Sequence, residues 1–322
     1  MHVAQTLGVP NPVSESNLVR FLMQKGLNFA PGSSYAYSNI GYLVLGSVIE
    51  HVTGLSYEQY VKSNLLAPLG IFDMHIGQNL LENKMERESE YQNTEVNNLS
   101  VSGTGVMVPW TYGGMNVNAM DAHGGWIATA SDLVKLILAV DNFPSKPDIL
   151  TPATIATMIT PSPRNANYAK GWQVNSANNW WHSGSLPGSF SIMARTSGEY
   201  AWAIIMNKRF NTGQFANAVD ALPWNSIAGV TTWPTYDLAL APTLNATNLS
   251  FSEVTSSTMK VSWANGNGAN RLLIVRPDAP VNAFPLDGID YTGVTNFSTA
   301  PALPGSTVKV VYSGTGNSAT IT

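Results

Sequence analysis

The sequence contains no cysteine. Disulfide staples, thiol catalysis and Cys-ligated zinc are therefore excluded. Secretion is not, because a chain of 322 residues can bury a core without disulfides. Charge is also scarce: 11 % of residues are Asp, Glu, Lys or Arg, against about 25 % in ordinary soluble domains. Asn, Ser, Thr and Gly replace them as polar surface groups. A net charge of −4 without any basic run argues against nucleic-acid binding, which needs a cationic face to release counterions. No apolar run reaches the roughly 18 residues of a membrane-spanning helix. Met1 to Pro12 lacks the basic-then-apolar layout of a signal peptide. The histidines other than His182 (His2, His51, His75 and His123) show no metal-ligand spacing, so neither a metal nor a cofactor is expected.

What is present suits two domains with a sizeable core, at 44 % hydrophobic residues. Residues 1–236 read as mixed helix and strand. Ile40, Leu43, Val44, Ser47, Val48 and Val52 recur at helical spacing, and Gly54 stops that helix. Ser56 and Gln59 fit a capping box for a second helix ending near Asn64. Ser131 and Asp132 are expected to cap a third, with Leu133, Leu136, Ile137 and Val140 on one face. Thr151-Pro152 starts a fourth. The period then changes. Ser191–Arg195 and Tyr200–Met206 read as two strands joined by the turn Thr196–Glu199, followed by a closing helix over Ala216–Leu222. Beyond Pro242 only short β-rich runs appear, at Met259–Trp263, Leu272–Val275 and Thr307–Tyr312. They predict a small all-β sandwich over 244–322, with 237–243 as linker.

Three stretches carry candidate chemistry. Tyr37-Ser38-Asn39 runs straight into an apolar helix. A phenol and an amide at such a junction can sit at the rim of a cleft, where a phenolate near a cation handles protons and the amide donates to a carbonyl. The same tripeptide equally fits a plain helix start capped by Ser38 or Asn39. His182-Ser183-Gly184 precedes the hairpin. His182 and Ser183 can hold an anion or carbonyl from a strand edge, and Gly184 lets a substrate backbone approach; an ordinary Gly/Pro turn with an exposed His is the plainer alternative. His123-Gly124-Gly125-Trp126 reads as structural, a tight turn leading to a short strand and a capped helix. Trp110 and Trp181 could wall a groove, whereas Trp126 is expected to pack.

In this order and spacing the chain resembles the serine β-lactamase-like superfamily, which includes class C β-lactamases, D-Ala-D-Ala peptidases and esterases. Tyr37-Ser38-Asn39 matches its second active-site element, and His182-Ser183-Gly184 is similar to its third, Lys-Thr-Gly or a His variant. Phe29-Ala30-Pro31-Gly32, Gly54-Leu55-Ser56-Tyr57, Leu66-Ala67-Pro68-Leu69-Gly70 and Gly124-Gly125 with Ser131-Asp132-Leu133 agree as well, over roughly residues 1–210. The resemblance implies an α/β (α+β) fold, an antiparallel sheet flanked by helices. It makes Tyr37 the proton-handling phenol and Asn39 the group that orients a substrate amide or ester. His182 stands in for the usual Lys to favour negative charge, Ser183 and Gly184 bind substrate, and the N–H of Ser185 is one oxyanion donor.

The departure is the nucleophile. The family carries Ser-x-x-Lys several tens of residues upstream of Tyr-x-Asn, and none of the 36 residues before Tyr37 forms it. The pattern recurs at Ser257–Lys260 and Ser306–Lys309, but in expected strands, where residues three apart point to opposite faces. Residues 1–12 resemble family sequence from just after the nucleophile, so Met1 is expected to be internal to a longer protein and the chain to fold poorly alone. The C-terminal region resembles a fibronectin type III-like module through Trp263, Gly266-Asn267-Gly268 and Tyr312–Asn317. The expected function is a serine hydrolase forming an acyl-enzyme on a β-lactam, D-amino-acid peptide or ester, inactive in this chain without Ser-x-x-Lys. A non-catalytic cell-wall or peptide-binding protein is the alternative. Expected partners are a small-molecule or peptide substrate and, through the C-terminal module, cell-wall polysaccharide. The expected location is extracytoplasmic.

Overall fold

The computed structural model describes residues 2–92, 97–210, 212–233, 245–281, 283–285 and 289–322. The chain divides into two compact units, Met1–Trp233 and Pro234–Thr322. The expected linker at 237–243 lies outside the described residues.

The first unit opens with helices α1 (His2–Leu7), α2 (Glu15–Leu22) and α3 (Asn39–Thr53). Ser38 caps α3, its Oγ accepting from Gly41 N–H at 3.2 Å, and Gly54 ends it in the left-handed conformation at φ 71°. The face that α3 buries is only part of the expected one. Leu43 and Gly46 are buried, while Val44, Val48 and Val52 stay exposed. The reason is a close approach. A Cβ on Gly46 would stand 2.7 Å from the Ala122 Cβ, so the helix turns its small side inward. On that side Ser47 Oγ donates to Glu15 Oε1 at 2.5 Å, and Glu50 accepts from Tyr57 N–H at 2.9 Å.

α4 (Tyr57–Val61) has the expected Ser56–Gln59 capping box, and it continues as a π turn over Lys62–Leu66. Short strands β1 (His75–Ile76), β2 (Asn97–Leu99), β3 (Met107–Pro109) and β4 (Trp126–Ile127) form two small ladders, β1 with β4 and β2 with β3. Trp126 packs as expected, its Nε1 donating to the Tyr57 hydroxyl at 3.3 Å. α5 (Ala130–Leu138) begins two residues earlier than expected. Thr129, not Ser131, is the cap; it forms a box with Asp132, whose carboxylate reaches back to the Thr129 N–H. Val140 is therefore past the helix end, although it still joins the core.

α6 (Pro152–Ile159), capped by Thr151, leads to the main sheet. Strands β5 (Gln173–Val174), β6 (Trp180–Leu186), β7 (Ser189–Arg195) and β8 (Ala201–Met206) lie in that order, all antiparallel. Ile137, Val140 and Ile155 of the α5–α6 region pack with Trp172, Val174 and Trp180. Phe190 and Ile192 pack against Val219 of α7 (Gly213–Gly229), a longer helix than the expected seven-residue one. Alternation along β6 puts Trp180 and Trp181 on opposite faces. Trp181 packs with the α7 cluster rather than walling a groove. The guanidinium of Arg195 is buried at the far end of β7. It donates to the carbonyls of Asp141 (3.0 Å) and Asn178 (2.9 Å) and lies over the Phe143 and Trp180 rings.

In the second unit β9 (Thr247–Ser252), β10 (Met259–Ala264) and β13 (Ser318–Ile321) form one sheet in the order β13-β10-β9, and β11 (Arg271–Val275) pairs with β12 (Lys309–Gly314) in another. Val261, Trp263, Ala319 and Ile321 of the first sheet share a core with Val311 of the second. Both downstream Ser-x-x-Lys matches differ from expectation in one respect: Ser257 and Ser306 lie in bends before the strands, and only the lysines enter them. Lys260 pairs with Glu253 at 3.2 Å, and Lys309 donates to the Ala300 carbonyl at 2.8 Å. Neither amine is engaged with its serine. Among the described residues no helix is long and apolar enough to cross a membrane, and no group of three or more His, Asp or Glu could hold a metal ion.

Candidate active site

The two triplets come from opposite ends of the first unit, and a third residue joins them. Tyr37 lies in extended backbone just before α3 and is half exposed, at 51 %. His182 lies in β6, opposite Met193. The Tyr37 ring is 6.2 Å from the His182 ring. Tyr168 completes a triangle with them, edge-on to Tyr37 at 5.8 Å and to His182 at 6.3 Å, with its hydroxyl 3.3 Å from His182 Nε2. Tyr35 stacks on the same ring at 5.7 Å, and Tyr42 of α3 hydrogen-bonds the Tyr168 hydroxyl.

Local bonds hold this aromatic box together. Ser33 N–H and Oγ both donate to the Ala30 carbonyl, closing the turn at Pro31-Gly32. Arg164 Nε donates to the Gly32 carbonyl at 2.8 Å, tying that turn to the loop that carries Tyr168. Gly171, at φ 83°, lets this loop pass close to the Tyr42 hydroxyl; a Cβ there would meet it at 3.5 Å. Tyr168 was missed in the sequence reading. Its signal was the run Tyr168-Ala169-Lys170-Gly171-Trp172 shortly before His182, which has no catalytic look by itself.

The electrostatics are those of neutral groups. Burial lowers the pKa of His182 below the usual imidazole value, opposed by a hydrogen bond to the Ser183 backbone. No carboxylate pairs with it among the described residues. The lowered pKa favours the neutral imidazole. Its Nε2 faces the Tyr168 hydroxyl at 3.3 Å, and the tautomer sets which of the two donates. Burial first, then Tyr42, raises the pKa of Tyr168. Tyr37 is likewise raised, by burial and then by Tyr42 and Tyr35, so it is a protonated phenol and not a phenolate.

Ser38 performs the capping, which leaves Asn39 exposed at the first position of α3, two residues from Tyr37. No bond from the Asn39 amide to another described residue competes with a ligand. Beyond His182, Ser183 pairs with Ile192, Gly184 with Ser191 and Ser185 with Phe190, all across the β7 side. On the other side β5 pairs only with Trp180 and Trp181. Among the described residues no strand pairs with that second edge of β6 beyond Trp181. Gly184 and Ser185 are exposed there. The requirement for glycine has a cause within the sheet: a Cβ at 184 would come 2.8 Å from Ser191 Oγ. The hairpin closes at Pro187-Gly188 with Gly188 at φ 75°. Arg209, after β8, places Nη1 3.4 Å from Ser185 Oγ.

A tyrosine–histidine chain beside an open strand edge can pass protons and orient a carbonyl. Comparison with known proteins points the same way. A family model described as beta-lactamase matches residues 4–222. A putative D-alanyl-D-alanine carboxypeptidase from Salmonella paratyphi B is 23 % identical over 206 residues, which are 59 % of this chain and 45 % of the relative. The chain thus spans about half the length of the curated relatives it matches. Among solved structures, the D-amino acid amidase from Ochrobactrum anthropi SV3 superposes with a TM-score of 0.52 at 23 % identity, covering 68 % of this chain and 65 % of that one. The penicillin binding protein from Bacillus halodurans gives a TM-score of 0.50 at 18 % identity, covering 65 % and 62 %.

Proposed function

The chain belongs to the beta-lactamase family of serine hydrolases, and from that membership we propose that its site serves acyl transfer to water from an amide or ester. The observation that supports this most is the meeting of Tyr37 and His182 on Tyr168, beside an open strand edge. A serine oxygen attacks the carbonyl carbon, its proton passing to Tyr37, whose phenolate a neighbouring lysine cation would stabilise, and the carbonyl oxygen takes up charge against the Ser185 N–H. Asn39 orients the amide or ester. The leaving nitrogen or oxygen receives its proton through Tyr37, and water then releases the acyl group by the reverse path. The serine belongs to a Ser-x-x-Lys segment that residues 2–36 do not contain. Its lysine is the cation that Tyr37 lacks among the described groups.

Names borne by the relatives favour D-amino-acid amides and peptides within this class, with carboxylic esters and β-lactams as neighbouring possibilities. The second unit, with two sheets around Trp263 and Val311, fits a fibronectin type III-like module that attaches the enzyme to cell-wall polysaccharide. That pairing of modules suits an extracytoplasmic enzyme.

A second reading is a protein that binds cell-wall peptides without turning them over. The test is to treat the native gene product with a fluorophosphonate and a penicillin, and to map adducts by mass spectrometry. An adduct on a Ser-x-x-Lys serine supports the hydrolase. Ligand binding with neither adduct nor turnover replaces it with the binding protein.

A further inference from the structure

The connection from β10 to β11 holds both Asn-Gly pairs of the chain, Asn265-Gly266 and Asn267-Gly268, back to back. A glycine that follows asparagine leaves the side-chain amide open to attack by its own backbone nitrogen, because no Cβ shields that nitrogen and the glycine backbone turns freely. Both asparagines are exposed. Among the described residues no acceptor takes the Gly266 N–H.

Two contacts single out Asn265. The buried indole of Trp263 donates from Nε1 to Asn265 Oδ1 at 3.0 Å. Trp263 is itself fixed. It packs in the core with Val261, Val311 and Ile321, lies edge-on to Tyr312 at 5.3 Å, and donates its backbone N–H to the Asn317 carbonyl at 2.9 Å. When a nitrogen adds to Cγ, negative charge gathers on Oδ1, the atom this rigid donor already faces. Arg271 spans the same turn, with Nη2 on the Gly266 carbonyl at 2.7 Å and Nη1 on the Ala269 carbonyl at 3.3 Å. It is the single charged residue from Ala264 to Arg271. Its positive charge is held on the residue whose nitrogen must lose a proton, where it favours the anion.

We propose that Asn265 is a modification site at which the second unit converts its own asparagine to aspartate and isoaspartate, with Trp263 as oxyanion donor and Arg271 as the neighbouring cation. The Gly266 nitrogen gives its proton to solvent hydroxide and bonds to Asn265 Cγ. The Cγ–Nδ2 bond breaks, and Nδ2 leaves as ammonia with a proton from water. Water then opens the cyclic imide at either carbonyl. Net, water enters and ammonia leaves. The turn thereby acquires a carboxylate, and Arg271 offers it an unused donor, since its buried Nε has no acceptor among the described residues. The single Trp263 indole N–H is taken by Asn265, which makes Asn267 the internal control. The inference is independent of what the first unit catalyses.

The test is to hold the full chain at pH 8, in buffer and in urea, and to follow both asparagines by peptide mapping, with electron-transfer fragmentation separating isoaspartate from aspartate. In buffer Asn265 is expected to convert about tenfold faster than Asn267, and about tenfold faster than it does in urea, the scale of one hydrogen bond to developing charge. Trp263→Phe should bring Asn265 down to the rate of Asn267. Because Trp263 also fills the core, Arg271→Gln serves as a second variant and should slow Asn265 severalfold with the melting transition retained. Equal rates at the two asparagines overturn the proposal. So does slower conversion of Asn265 in buffer than in urea, the result of an indole bond that only restrains the side chain. An advantage of Asn265 that survives both substitutions overturns it as well.

Discussion

The hydroxyl of Tyr168 lies 3.3 Å from Nε2 of His182, and this one bond joins the loop before β5 to the strand edge at the centre of the candidate site. Burial holds the His182 imidazole below its ordinary pKa, and a hydrogen bond to the Ser183 backbone opposes that shift.

Removing that hydroxyl should move the imidazole titration. In Tyr168→Phe the ring stays to pack on Tyr35 and Tyr37, but Nε2 loses its partner. The His182 pKa is expected to rise toward the ordinary imidazole value where the hydroxyl donates the lost bond, and to fall further where the imidazole donates it. Long-range proton–nitrogen NMR on both proteins reads tautomer and pKa directly. An unchanged titration contradicts a role for this bond in setting the His182 pKa.

Ser38 and Asn39 should separate cleanly into fold and function. Ser38→Ala removes the cap of α3 and is expected to cost about 1 kcal/mol of stability, measured by denaturant unfolding. Asn39→Ala should leave stability nearly unchanged while weakening ligand binding or turnover. The opposite pattern would make Asn39 the structural residue of the pair.

Gly184→Ala should destabilise the β6–β7 hairpin by about 1 kcal/mol or more, since the new methyl meets Ser191 Oγ at 2.8 Å. Ser191→Ala removes that oxygen, so the double variant is expected to recover most of the loss. A melting temperature that does not recover would place the clash outside the sheet.

Asp121 makes stability depend on pH. It is buried, at φ 39°, among the carboxylates of Glu15, Glu50 and Glu58. Burial first, then Glu15, raises its pKa to about 7. The unfolded chain ionises this group near its ordinary value of 3.8, so between those limits the folded state holds the extra proton. Stability contributed by Asp121 is therefore full below about pH 4 and is lost as pH rises toward 7. Asp121→Asn keeps the shape and tolerates the positive φ. It should melt like the parent at pH 4 and be more stable at pH 8, by an amount of the order of 1–2 kcal/mol. Parallel melting curves at both pH values would sink this account.

Much was legible without coordinates. Period and caps located α3, α4, α6 and the β7–β8 hairpin, because Ser-x-x-Gln, Thr-Pro and a left-handed glycine act on the chain within a few residues of themselves. The ordered anchors from Phe29 to His182 carried the family. What was not legible was set by contacts across long separations. Of the helical set Ile40, Leu43, Val44, Ser47, Val48 and Val52, Leu43 is buried, but the approach of Ala122 to Gly46 leaves Val44, Val48 and Val52 exposed. Trp181 read as a cleft wall until strand alternation placed it under α7. Local spelling determined which segments are helix or strand. Only packing decided that Tyr168 would meet His182, that burial would lower the imidazole pKa, and that Arg209 would reach Ser185, since each depends on desolvation or on atoms brought together from residues far apart in the chain.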